Sequence, residues 1–90
     1  MKVNGNRVWT ITTDHSIGLG GERRTETLAN ELTKVLDKNN IKNLVKYSDY
    51  RVTVEVFDFS SMCTVAKTID TLMEKGEYKL TGIEIKTSTY

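Results

Sequence analysis

Leu44-Val45-Lys46-Tyr47-Ser48-Asp49-Tyr50-Arg51-Val52-Thr53-Val54-Glu55-Val56-Phe57-Asp58 is the stretch on which the architecture turns. From Arg51 onward it alternates, with Val52, Val54 and Val56 on one side and Thr53 and Glu55 on the other. That is the period-two pattern of a half-buried strand. Leu44 to Ser48 is a shorter strand candidate before it. A break near Ser48-Asp49-Tyr50 makes the whole a hairpin, although neither Asn-Gly nor Asp-Gly marks the turn. Without the break it is one strand of about fifteen residues, against a usual five or six. The hairpin is the expected reading.

On the N-terminal side, Val8-Trp9-Thr10-Ile11-Thr12-Thr13 alternates and is β-branched, so it reads as a strand with Trp9 and Ile11 on one face. Asp14 to Gly21 reads as a loop. From about Glu22 to Lys38, Leu28, Leu32, Val35 and Leu36 form a helical stripe. Asn39-Asn40 supplies a residue type that tolerates the left-handed conformation where this helix stops. On the C-terminal side, Ser60 or Ser61 is the expected cap of a second helix reaching about Lys75. Its stripe is Met62, Val65, Ala66, Ile69, Leu72 and Met73, and Gly76 stands where a terminating glycine belongs. Leu80 to Thr87 reads as a last strand, with Ile83 and Ile85 inward and Glu84 and Lys86 outward.

The order is therefore β-α-β-β-α-β in one domain spanning residues 1–90. Two helices with one apolar stripe each and strands with one apolar face are buried most simply in two layers, both helices on one side of a four-stranded antiparallel sheet. This is a ferredoxin-like α+β sandwich. It puts the first and third strands at the centre and the more polar second and fourth at the edges.

Ninety residues is close to the lower limit for independent folding. Such a chain buries roughly 60–65% of its unfolded surface, so self-association is a common remedy. A single cysteine, Cys63, leaves no intramolecular disulfide and suits a reducing compartment, which points to the cytoplasm. No apolar run has membrane-spanning length, and the first seven residues lack the apolar core of a secretory signal. Net charge is +1, with +3 through Tyr47 and −2 from Ser48 onward. The near-zero total gives no electrostatic footprint for nucleic acid, while the asymmetry suits head-to-tail pairing of two copies, though in a short chain it is more often sampling noise. Absent proline and frequent Thr, Lys and Asn suggest an AT-rich coding genome, that of a low-GC bacterium or its virus.

Asp14-His15-Ser16-Ile17-Gly18-Leu19-Gly20-Gly21-Glu22-Arg23-Arg24 is the richest stretch chemically. Helix N-terminal amides attract anions, and glycines admit a phosphate close to the backbone. Arg23 and Arg24 would add donors, and two cations in a first helical turn oppose the macrodipole unless something negative is near. Gly18, Gly20, Gly21, Arg23, Arg24 and His15 are thus the candidate residues for a phosphate-bearing small ligand or nucleotide. Against this, Arg23 can pair with Glu26 one turn along. The stretch is neither a dinucleotide fingerprint, since Arg23 holds the third glycine position, nor a P-loop, since Gly-Lys-Ser/Thr is missing.

Asp14-His15-Ser16 has the residue types of a hydrolytic triad, but sequence neighbours rarely reach triad geometry. His15 is the only histidine, which excludes a multi-histidine metal site. Cys63 falls on the buried stripe of the second helix and reads as a packing residue. Domains that read RNA with this element order stack bases on aromatics of the open sheet face. Here the outward positions would be Val8, Thr10, Thr12, Thr53, Glu55 and Phe57, which do not make such a platform. Tyr47, Tyr50, Phe57, Phe59, Tyr78 and Tyr90 exceed what the core requires, and aromatics are enriched at protein interfaces. The expectation is a non-enzymatic regulatory module that needs no cofactor and binds a protein partner or itself, by an open sheet face or by strand addition. A phosphate-binding sensor is the alternative.

Overall fold

Local sequence pattern and observed elements agree closely. A computed structural model of the chain describes residues 7–15, 21–48, 50–75 and 80–89. They form β1 (Arg7–His15), α1 (Gly21–Lys38), β2 (Asn43–Tyr47), β3 (Arg51–Val56), α2 (Phe59–Lys75) and β4 (Leu80–Thr89). The strands make one four-stranded sheet in the order β2-β3-β1-β4, antiparallel at every pairing. The class is α+β, and the two most apolar strands are central, as their composition requires.

The decisive stretch is a hairpin. Leu44 pairs with Glu55 and Val45 with Val54, and the Ser48 amide donates to the Arg51 carbonyl at 2.9 Å to close the turn. On one face of the sheet Trp9 stands beside Val56, Ile11 beside Val54 and Thr13 beside Val52. Ile11 and the three valines join Leu28, Ala29, Leu32 and Leu36 of α1 and Met62, Val65, Ile69 and Leu72 of α2 in a single core. Trp9, Val45, Cys63, Ala66, Met73 and Ile83 pack against its margin, partly buried.

The helix ends have identifiable causes. At the end of α1, Asn40 takes φ 58°. Its amide donates to the Asp37 carbonyl at 3.0 Å, and the Ile41 amide to the Leu36 carbonyl at 2.9 Å. This is a Schellman stop with asparagine in the left-handed position and Ile41 packed back toward the core. At the start of α2 the cap is Asp58, two or three positions before the expected serines. Its carboxylate accepts the Ser61 amide at 2.7 Å and the Ser61 hydroxyl at 3.0 Å. Aspartate outcompetes the serines because its two carboxylate oxygens take the amide and the hydroxyl of Ser61 at once.

Other expectations need correction. β1 runs on through Asp14 and His15, which the sequence places in a loop, because pairing with β3 and β4 continues that far. Val8 is on the outward face as expected yet only 2% exposed. Ile85 pairs with Ile11, on the inward face, yet is 42% exposed. β4 is an edge strand, so its side chains have a neighbouring strand on one side only. Gly76, the expected stop of α2, lies outside the described residues.

Candidate functional site

The face of the sheet opposite the core carries the charges. Pairing places its outward residues in rows across β2, β3, β1 and β4. One row is Leu44, Glu55, Thr10, Lys86, and the next is Lys46, Thr53, Thr12, Glu84. A third row holds Arg51, Asp14 and Gly82. By alternation Phe57, just past β3, falls on this face near Val8. No described element lies over these rows.

Arg51 and Asp14 form the sharpest feature. The Arg51 guanidinium donates through Nε to Asp14 Oδ1 at 2.7 Å and through Nη2 to Oδ2 at 3.2 Å, a two-point clasp between directly paired central strands. Hydrogen bonding to Asp14, then the charge of Asp14, holds the guanidinium further toward its protonated form. A raised value for a cation stabilises the fold at every pH below it, so any loss comes only in strongly alkaline solution. The pair is solvated, so it adds little to the stability of the fold.

A β-bulge sits beside this pair. Asp14 pairs with Gly82 but His15 with Leu80, so Thr81 is the extra residue of β4. The Thr81 hydroxyl donates to the Asp14 carbonyl at 3.3 Å, and that of Thr13 to the Gly82 carbonyl at 2.7 Å. Thr12, Asp14, Arg51, Gly82 and Glu84 line a shallow open groove of about 260 Å³ here. It has no wall over Gly82, where a Cβ would meet nothing within 4 Å. Two carboxylates beside one paired arginine suit polar or charged protein groups better than a phosphate.

Apolar exposure gathers at the other end of the strands. Leu44 is 46% and Phe57 38% exposed on the charged face, with the Lys42 ammonium 5.4 Å from the Phe57 ring centroid. Phe59 at the start of α2 is exposed too, and meets Trp9 edge to face at 5.5 Å. Arg7 lies 5.8 Å from the Trp9 ring. Tyr47 and Tyr50 are exposed near the hairpin turn, while Tyr78 and Tyr90 lie outside the described residues.

Of the candidate ligand residues, His15 ends β1, Gly21 opens α1, and Arg23 and Arg24 fall in its first turn. Gly18 and Gly20 lie outside the described residues, as do the side chains of His15, Arg23 and Arg24. Asp14, which the sequence groups with His15 and Ser16, is engaged by Arg51 from the neighbouring strand. Sequence reading missed this pair. Its signal is a lone aspartate and a lone arginine at facing strand ends, visible only once the register is known.

Cys63 is half-buried against the core, as expected of a packing residue. Among the described residues no three His, Cys, Asp or Glu side chains gather as a metal site, and no helix is long and apolar enough to cross a membrane. Comparison with protein families, with curated proteins and with solved structures finds no match for this chain.

Proposed function

We propose that the chain is a ferredoxin-like βαββαβ sandwich, with both helices on one face of the sheet, that works as a non-enzymatic binding module in the cytoplasm. Its outward face engages a protein partner. The observation that carries this reading is the pairing of exposed Leu44 and Phe57 with a graded set of charges on a face that no described element covers. Large apolar side chains beside polar rows are the composition of a transient interface. Asp14, Glu55 and Glu84 on the same face weigh against a nucleic-acid backbone, which would meet three carboxylates.

The test pairs light scattering of the purified chain with its use as bait. Leu44→Asp combined with Phe57→Asp changes exposed positions, so the fold persists by circular dichroism while association weakens at least about tenfold. A chain that stays monomeric and captures nothing, or association indifferent to the double substitution, defeats the reading.

The competing reading is a phosphate sensor at the start of α1. It is favoured by one observation, that the helix begins at Gly21 and so carries Arg23 and Arg24 in its first turn. Inorganic phosphate or a nucleotide would then raise the melting temperature, and Arg23→Ala with Arg24→Ala would remove the rise. Unchanged melting across a panel of such ligands excludes it.

A further inference from the structure

We propose that the partner of the outward face is a second copy of this chain, the two sheets stacked face to face about a twofold axis running along the strands between β3 and β1. The proposal rests on the binding-module reading and names its partner. Such an axis brings β2 of one copy over β4 of the other and β3 over β1, and keeps each row opposite itself. An isologous interface then requires one half of the face to complement the other half of the same face.

The rows meet that requirement. In the row Lys46, Thr53, Thr12, Glu84, Lys46 comes opposite Glu84 of the other copy, and Thr53 opposite Thr12. In the row of Arg51 and Asp14, each arginine comes opposite an aspartate. The two intramolecular clasps then abut as a ring of alternating charges. In the row Leu44, Glu55, Thr10, Lys86, Leu44 lies against the aliphatic stem of Lys86, and Glu55 meets a threonine one strand from that ammonium. Phe57 comes over the position of Val8, which is 2% exposed and so adds no contact of its own. No row sets like charge against like.

Pairing within one sheet does not account for this pattern. Opposite charges on adjacent strands stabilise an isolated sheet, which covers Arg51 and Asp14. Lys46 and Glu84, however, stand on opposite edges, three strand spacings or about 14 Å apart. They do not reach one another inside the monomer, where Glu84 acts instead on Arg51. Turning the axis across the strands removes the match, because the arginine and aspartate row then falls on Phe57 and Val8.

Magnitudes set the kind of dimer. Four strands and about six residues of length make a face of roughly 20 by 20 Å. That is small beside the standard interface of about 800 Å² per partner. Charges at such a contact decide register more than strength, since desolvation offsets much of their attraction. The dimer is reversible, concentration-dependent and weakened by salt.

Sedimentation velocity across a concentration series tests it, with circular dichroism confirming each variant as folded. Wild type shifts from monomer to dimer as concentration rises, and shifts back in about 1 M salt. Lys46→Glu alone and Glu84→Lys alone each create two like-charge contacts and sediment as monomers. An equimolar mixture of the two variants restores both contacts and the dimer, as does the double variant. Wild type monomeric at every concentration overturns the dimer, yet leaves the binding reading standing if a partner is still lost with the Leu44 and Phe57 substitutions. A dimer indifferent to both single reversals overturns the choice of face. Failure of the mixture to recover the dimer overturns the stacking register.

Discussion

Asp58 holds the start of α2 by two hydrogen bonds to Ser61, and no other described side chain does that work. Asp58→Ala should therefore lower stability by about 1 kcal/mol, up to about 2 if the buried Ser61 hydroxyl is left without a partner. For a domain this size that is a drop of roughly 4–8 °C per kcal/mol in thermal midpoint, readable by calorimetry. Asp58→Asn should recover most of the loss, and an unchanged midpoint in the alanine variant would remove the cap from the account. Sequence reading found the helix but chose the serines, since three residues able to cap it stand within four positions. Only local geometry decides among them. Asn40 was legible because a left-handed stop admits few residue types. The Arg51–Asp14 clasp was not legible, because the two residues are far apart in sequence and meet only through strand register.

Most of the stripes of α1 and α2 was read correctly, but Val35, Ala66 and Met73 are only half-buried, and buried Thr25 and Ala29 were not named. The hairpin was read from alternation alone, without turn chemistry to help. What the pattern could not supply was depth, since alternation names a side chain's face but not its cover. Ile85 shows the difference, inward by register and yet open to water on an edge strand. Leu32→Ala, at a site that is 1% exposed, should cost about 2–5 kcal/mol and leave so small a domain largely unfolded at room temperature. Ile85→Thr should change stability by no more than about 0.5 kcal/mol, since it keeps the β-branch and loses little burial. Urea titration of both variants by circular dichroism separates them. Equal losses would mean that Ile85 is covered in solution.

Across the whole molecule, the element order and the choice of central strands followed from composition and period. The outward face did not, because its meaning lies in how four separated segments align. Individually Lys46, Arg51, Asp14 and Glu84 are ordinary solvated residues. Their arrangement about the sheet midline is what gives a candidate partner. The glycine-bearing stretch before α1 was the loudest signal in the sequence, and only its two ends are placed by the described elements. The middle of the sheet has a further consequence for how the chain is made. β1 lies between β3 and β4, and the Trp9 to Thr87 pairing joins residues near opposite ends of the chain. A strand synthesised early thus waits for the last one before its second edge is closed. Contacts of such sequence separation delay folding until the loop entropy is overcome, so a nascent chain lacking residues 80–89 would present β1 as a bare template for unrelated strands.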